Sequence, residues 1–159
     1  MLTVHLICVG KLKEAYWRDA CAEYEKRLRA FCSFSILELP ECRLPENPSD
    51  AQIRAALKTE GDALLAAVGN SALFALCIEG KALSSGQLSD KINTLAVSGI
   101  STVSFVIGSS FGLGDRVKQK AEFRLSMSPM TFPHQLARVM LCEQIYRAFQ
   151  IIYHGKYHK

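Results

Sequence analysis

Two segments in the second half of the chain carry residue types and spacing that point to ligand chemistry. Residues 104–114 (SFVIGSSFGLG) predict an apolar strand that runs into a glycine-rich turn. Residues 125–149 (LSMSPMTFPHQLARVMLCEQIYRAF) predict a short strand, a polar turn closed by Phe132-Pro133 and a long apolar helix. Loops at neighbouring strand ends form concave ligand pockets in α/β proteins. Backbone amides and apolar side chains near Leu76, Gly108 and residues 127–132 would line this pocket, which suits an adenine and a ribose. The alternative is that residues 108–114 are merely a turn.

Several other kinds of site are excluded by the motifs. The first strand ends in VGKLK and is not followed by the G-x-G-x-x-G of a dinucleotide site. EGKALSS lacks the GK[ST] of a nucleoside triphosphate loop, and the chain has no G-x-S-x-G hydrolase elbow. No His, Cys and carboxylate residues stand at ligand spacing, so we expect no metal. The six scattered cysteines form no C-x-x-C pair and are predicted to be free thiols.

Composition bounds the class of protein. The chain has 159 residues, of which 49% are hydrophobic and 21% are charged, which is typical of one globular domain. It contains no apolar stretch of membrane-spanning length, and its N-terminus lacks the basic and small residues of a signal peptide. We therefore expect a cytoplasmic protein without a membrane partner. The net charge of +4 is mild, but the segment GKLKEAYWR and the tail YHGKYHK concentrate basic and aromatic side chains. Such groups either contact nucleic acid or are simply solvated.

Alternating patterns predict the elements that position the pocket. Apolar runs predict strands at 3–9, 35–39, 72–78, 102–107 and 123–127, with a turn at Glu79-Gly80-Lys81 after the third. Helical spacing predicts helices at 14–30, about 50–68, 85–97, 115–121 and 134–153. Strands that alternate with helices and are apolar on both faces are typical of an α/β fold. We predict a mainly parallel sheet with helices on both faces, in a single domain over residues 1–159.

The last predicted helix is apolar around nearly its whole circumference. Only Glu143, Arg147 and Gln150 form a narrow polar stripe, and the order of the first two favours a helix-stabilising pair. Such a helix is buried on more than one face. Because a terminal helix in a small domain would cover its own sheet with one face, we expect the other face to meet a second subunit in a C2 homodimer. Arg138 lies among the apolar positions and needs an anionic partner. It is either an active-site contact at the subunit interface or a structural salt bridge across that interface.

The chain resembles a known family along its whole length. The carrying motifs are VIGSSFGLG, MTFPHQLARVMLCEQIYRA, the ending YHK, the opening VGKLKEAYW and the middle segments EYEKRL and PENPSD. They are similar to those of the SPOUT-class methyltransferases that modify a pseudouridine of large-subunit ribosomal RNA (RlmH type). The resemblance implies an α/β knot, in which the C-terminal part of the parallel sheet is tied in a deep trefoil knot. It also implies a homodimer that acts on assembled ribosomes.

The resemblance further implies a cofactor, a reaction and site residues. S-adenosylmethionine would bind in a bent shape at Leu76, Gly108, Met127, Ser128, Pro129, Met130, Thr131 and Phe132. Its methyl group would pass to N3 of a pseudouridine in 23S ribosomal RNA. Because the sulfonium methyl is already activated, the enzyme needs in-line positioning and a deprotonated N3, which calls for a base or a cation. The candidates for that catalytic role are Arg138, Tyr157 and His158, whereas His134 at the helix start is interpreted as structural.

One residue departs from the family pattern. Where this family usually has two consecutive glycines after the fourth strand, the second position is Ser109. If that position needs a positive φ or a close approach of the cofactor, we expect serine to strain the loop or narrow the pocket. Two alternative functions stay open on these grounds. One is a non-catalytic ribosome-binding factor of the same fold, and the other is a knotted methyltransferase that acts on a different RNA.

Overall fold

The computed structural model describes all 159 residues and contains one five-stranded parallel sheet. Its strand order is β2-β1-β4-β3-β5, so the first strand lies between the second and the fourth. This confirms the predicted parallel α/β sheet. The strands are β1 (Thr3–Val9), β2 (Ser33–Leu39), β3 (Ala72–Ala82), β4 (Thr102–Ile107) and β5 (Phe123–Ser126).

Helices cover both faces of the sheet. They are α1 (Ala15–Leu28), α2 (Asp50–Val68), α3 (Ser85–Val97), α4 (Asp115–Lys120) and α5 (His134–Ile152). Successive side chains of β1 point to opposite faces: Val4 and Leu6 belong to the core beneath α1, α3 and α5. Ile7 and Val9 belong to a second core beneath α2 and α4. Burial of both faces confirms the prediction drawn from the apolar strand pattern.

Local sequence signals set the starts of two long helices. Ser49 accepts a hydrogen bond from the backbone N–H of Gln52, whose side chain in turn accepts one from the Ser49 N–H. Ser84 and Gln87 form the same reciprocal capping box at the start of α3. Each box satisfies two backbone donors that would otherwise lack a partner. The predicted bounds of α3 are therefore confirmed to the residue.

The predicted turn at Glu79-Gly80-Lys81 is wrong. Instead, β3 continues to Ala82 through a bulge, because Leu76 and Lys81 both lie opposite Leu125 of β5. A Cβ atom at Gly80 would lie 2.7 Å from the backbone oxygen of Arg124, so the bulge packs directly against β5. Only glycine allows this close approach. The bulge displaces residues 77–80 from the sheet and leaves them at the edge of the site described below.

The apolar circumference of α5 is covered largely within its own chain, which corrects the reasoning that assigned one face to a second subunit. None of its nineteen residues is exposed, and the helix contacts both α1 and α3 of its own chain. Two flanking helices, as well as the sheet, thus cover much of the apolar surface that the sequence analysis assigned to a partner. The homodimer stays a prediction, as does the trefoil knot. No helix is both long enough and apolar enough to cross a membrane.

Candidate functional site

A cavity of about 670 Å³ opens between the bulge of β3, the ends of β4 and β5, and the start of α5. Its volume lies in the range of small-molecule sites. Seven of the eight residues expected to bind a cofactor line it, and Pro129 does not, although its neighbours on both sides do. The strand ends bring these seven residues together, but their contact with a ligand stays a prediction. The seven are Leu76, Gly108, Met127, Ser128, Met130, Thr131 and Phe132.

Most of the backbone N–H and C=O groups of residues 127–132 have no hydrogen-bond partner within the chain. None of these groups takes part in a backbone–backbone hydrogen bond. Only two local contacts occur: the Met130 N–H donates to Ser128 Oγ at 3.0 Å, and the Ser126 hydroxyl donates to the Ser128 carbonyl at 3.2 Å. A run of unpaired amides and carbonyls beside apolar side chains matches the hydrogen-bonding edge of a planar heterocycle such as adenine.

The loop after β4 is a tight turn in which two positions require glycine. A Cβ atom at Gly108 would lie only 2.2 Å from the Gly112 carbonyl oxygen, and Gly112 itself has a φ of +83°. The Gly112 N–H donates to the Ser109 carbonyl at 2.8 Å and closes the turn. Ser109, by contrast, is not among the residues with positive φ. The positive φ on which backbone strain at Ser109 was conditional therefore does not occur.

The Ser109 side chain anchors this loop to α2. Its hydroxyl donates to Glu60 Oε1 at 2.9 Å, and the other carboxylate oxygen of Glu60 accepts the Cys42 N–H at 2.9 Å. Ser109 and Glu60 are both buried. One buried carboxylate thus joins the loop after β4 to the proline-rich loop after β2. The sequence analysis missed Glu60, because nothing in the local pattern of α2 distinguishes it from a surface glutamate.

Two charged side chains and a histidine that the sequence analysis did not assign to the ligand site also line the cavity. Lys118 of α4 forms an ion pair with Glu79 of the β3 bulge. The hydrogen bond from Lys118 lowers the pKa of Glu79 below its ordinary value. His134, interpreted from the sequence as structural, also lines the cavity at the first position of α5. The bulge and the helix starts thus contribute the polar side chains of a mostly apolar site.

Arg138 does not line the cavity, so its assignment as a catalytic candidate is not supported. Its side chain is almost fully buried, and its Nη1 pairs with Glu38 Oε2 at 2.5 Å. Its Nη2 donates to the Gly10 carbonyl at 3.2 Å. These partners belong to the same chain, so the ion pair is structural and does not cross a subunit interface. The buried guanidinium is neutralised by Glu38, as a buried charge requires.

The C-terminal tail folds back onto α5 of its own chain. The Tyr157 hydroxyl lies 3.0 and 3.1 Å from the two carboxylate oxygens of Glu143, and His158 Nδ1 lies 3.2 Å from Arg147. Glu143 is nine residues beyond His134, which corresponds to about 14 Å along the helix axis. Neither Tyr157 nor His158 lines the cavity of its own chain. The predicted Glu143–Arg147 pair is confirmed.

The cysteines are free thiols, as predicted. Burial raises the pKa of Cys8 and Cys32 to about 12, so these thiols stay protonated at neutral pH. No group of three or more His, Cys, Asp or Glu side chains is placed to hold a metal ion.

Comparison with known proteins defines the class. A family model described as a predicted SPOUT methyltransferase matches residues 2–158. Among solved structures, a probable methyltransferase from Bordetella pertussis Tohama I superposes with a TM-score of 0.60 at 15% identity, covering 92% of this chain and 95% of its own. The tRNA (m1G37) methyltransferase from Aquifex aeolicus gives a TM-score of 0.54 at 10% identity, covering 92% and 69%. At such identities these structures establish the fold alone, which is that of a SPOUT methyltransferase.

Sequence relatives narrow the class to one family. The ribosomal RNA large subunit methyltransferase H of Exiguobacterium sibiricum is 46% identical over 159 residues, covering 99% of this chain and 100% of the relative. The proteins of the same name from Bacillus pumilus and Streptococcus equi subsp. zooepidemicus are 46% and 45% identical with the same coverage. The chain therefore belongs to the ribosomal RNA large subunit methyltransferase H family.

Proposed function

We propose that the protein transfers a methyl group from S-adenosylmethionine to N3 of a pseudouridine in large-subunit ribosomal RNA. The observation that carries the proposal is the cavity bordered by Gly108 and the unpaired backbone of residues 127–132. Full-length similarity to the ribosomal RNA large subunit methyltransferase H proteins supports the class of substrate. These 159 residues fold around one sheet, so RNA recognition falls to the surface of that fold, which suits a preassembled, shaped RNA such as that of a ribosomal subunit. A ribosomal substrate implies a cytoplasmic location.

The residues around the cavity fit the proposed cofactor. The free amides and carbonyls of residues 127–132 read the adenine edge, and Leu76 and Met127 supply apolar contacts. Gly108 allows the tight turn, because a Cβ atom at this position would clash with the Gly112 carbonyl oxygen. S-adenosylmethionine supplies an electrophilic sulfonium methyl, so the protein has to orient the acceptor nitrogen and favour loss of its proton. Lys118 and Glu79 bring opposite charges to the same cavity.

We further propose that the tail of one subunit completes the cavity of its partner in a homodimer. Tyr157 and His158 lie about 14 Å or more along α5 from the cavity of their own chain. Half-buried apolar side chains of α5, such as Val139 and Met140, leave surface for a second subunit to cover. In that arrangement Tyr157 or His158 stabilises the anion at N3 or accepts its proton.

The rival function, a non-catalytic ribosome-binding factor, loses the support that it drew from backbone strain at Ser109. It rested on strain or narrowing at Ser109, and Ser109 has an ordinary backbone conformation with its hydroxyl directed to Glu60. Nothing in the structure favours a different RNA as the substrate.

The test is methyl transfer to ribosomes isolated from a strain that lacks this gene. We expect the purified protein to bind S-adenosylmethionine in calorimetry and to transfer labelled methyl groups to those ribosomes. Mass spectrometry of the RNA should show one added methyl on pseudouridine. Binding without transfer to any such ribosome would refute the proposed substrate, and the absence of cofactor binding would refute the enzyme class.

Mixed dimers test the shared site. A Gly108→Ala subunit lacks the cofactor turn, and a His158→Ala subunit lacks a tail residue. If each site combines one cavity with the partner's tail, half of the sites in a mixed dimer are intact. Random mixing of the two inactive variants then restores about a quarter of wild-type activity. No recovery on mixing, with dimers formed, would show that each subunit works alone.

A further inference from the structure

The segment that runs from the end of β1 into the first turn of α1 presents basic and aromatic side chains beside the cavity. We call residues 10–17 (GKLKEAYW) the β1 loop. Lys11, Lys13 and Tyr16 are exposed, and Tyr16 retains 64% of its accessible surface. Neither lysine is within ion-pair distance of a carboxylate, since none of the six salt bridges includes them. Their charges are therefore available to a partner.

The sheet register places the β1 loop next to the cavity. Cys8 of β1 lies opposite Ile107 of β4, so the two strands end at the same height. The β1 loop consequently leaves the sheet beside the loop that begins at Gly108, about one strand spacing of ~5 Å away. On its other side, the Gly10 carbonyl accepts a hydrogen bond from Arg138, whose neighbour Ala137 lines the cavity.

Side chains from three elements hold the β1 loop in place. The Leu12 N–H donates to Glu38 Oε2 at 3.1 Å, and the Leu12 side chain is buried. Arg18 donates to the Leu12 carbonyl at 3.1 Å and to the Lys13 carbonyl at 2.5 Å. Arg138 binds both the Gly10 carbonyl and Glu38. The buried arginine is thus a positioning residue that fixes the loop, which explains why its charge is kept in the core.

The aromatic part of the loop is held as firmly. The Trp17 ring packs against the main core, and the Tyr16 ring meets it edge-to-face with centroids 5.0 Å apart. An exposed ring supported in this way loses little conformational entropy when a base stacks on it. Glu14 and the Glu41 carboxylate near Gly10 keep the local net charge low. Contacts to individual phosphates are therefore favoured over general attraction to a polyanion.

We propose that the β1 loop holds the substrate RNA against the cavity: Lys11 and Lys13 each bind a phosphate, and Tyr16 stacks on an unpaired base. The inference rests on the proposed function and assigns it an RNA-contact surface. In single-stranded RNA recognition, lysines commonly bind the phosphates of the RNA backbone and aromatic rings stack on its bases. The loop does not line the cavity itself, so cofactor binding is independent of it.

The test measures affinity for ribosomes from the deletion strain across a range of potassium chloride concentrations. For the double variant Lys11→Gln/Lys13→Gln we expect the slope of log affinity against log salt to fall by about 1.4, the value for two single-strand phosphates. Tyr16→Leu should weaken binding about tenfold at every salt concentration and leave the slope unchanged. The matched control is Lys26→Gln/Arg29→Gln, which removes two exposed charges at the far end of α1.

The outcomes separate this inference from the proposed function. A Lys11→Gln/Lys13→Gln slope equal to those of the wild type and the control overturns the phosphate contacts. An unchanged affinity for Tyr16→Leu overturns the stacking. All three variants should bind S-adenosylmethionine as the wild type does, because the substituted side chains are exposed and lie outside the cavity. A wild-type protein that binds the cofactor but no ribosome would instead overturn the proposed substrate, and this inference with it.

Discussion

Removing the Ser109 hydroxyl should loosen the loop that forms one wall of the cavity. In Ser109→Ala, Glu60 Oε1 loses its only hydrogen-bond donor while remaining buried. Hydrogen bonds to charged groups contribute about 1.5–3 kcal/mol, and a buried acceptor without a partner is costly. For a domain of this size, a loss of that magnitude lowers the unfolding temperature by about 4–10 °C. Because the same bond ties the turn to α2, we also expect weaker cofactor binding.

Chemical unfolding and calorimetry measure the two effects separately. The matched control is Ser110→Ala, the same change one residue further along, at an exposed serine whose side chain makes no hydrogen bond. It should stay within about 0.5 kcal/mol of the wild type. A double-mutant cycle with Glu60→Ala isolates the interaction, because Ser109→Ala should cost much less once Glu60 is gone.

Equal free energies of unfolding for Ser109→Ala and Ser110→Ala would contradict a stabilising bond between Ser109 and Glu60. A double-mutant cycle without coupling energy between positions 109 and 60 would contradict it as well. Either result would mean that the hydroxyl of Ser109 contributes nothing to the position of the loop.

Three further predictions follow from the site and the core. Gly108→Ala should cost about 1–3 kcal/mol in unfolding free energy and weaken cofactor binding at least about tenfold, because its Cβ would lie 2.2 Å from a backbone oxygen. Arg138→Met should cost about 1.5–3 kcal/mol in unfolding free energy, because it removes the hydrogen bonds of the buried guanidinium to Glu38 and to the Gly10 carbonyl, and hydrogen exchange in the β1 loop should accelerate. Burial raises the pKa of Cys8 and Cys32 from 9.0 to about 12. The contribution of these two protonated thiols to the free energy of unfolding is therefore fully present below pH 9 and is lost as the pH rises toward 12. At pH 10 the loss should be about 3 kcal/mol for the two thiols together.

Controls make these outcomes decisive. Gly86→Ala in α3, where the nearest atom to a new Cβ is 3.8 Å away, should be neutral or stabilising. Equal behaviour of the Gly86→Ala and Gly108→Ala variants would refute the close packing of the turn. Glu38→Gln should retain less stability than Arg138→Met, because it leaves the buried guanidinium of Arg138 without a counter-charge, whereas the carboxylate that Arg138→Met leaves is exposed. Alanine at both Cys8 and Cys32 should flatten the stability curve between pH 8 and 10, and an unchanged curve would exclude the thiols as its cause.

Much of the fold could be predicted from the sequence because its signals are local. The bounds of β1, α3 and β4 were predicted to the residue from apolar runs and helical spacing. The prediction failed at Glu79-Gly80-Lys81, where a polar, glycine-containing triplet is typical of a turn but forms a bulge against β5. That outcome depends on how closely Gly80 approaches Arg124, which no local pattern encodes.

The candidate ligand site shows the same difference between what local sequence signals predict and what tertiary packing decides. Residue types and motif resemblance identified the two loops and seven of the residues that line the cavity, because strand ends of a parallel sheet meet at one edge. Only the tertiary structure decided what the buried polar groups do. Ser109 and Glu60 are 49 residues apart, and Arg138 and Glu38 are 100 apart. A buried polar side chain needs a partner, but packing chooses which one, so the sequence determined the need and the fold determined the pairing.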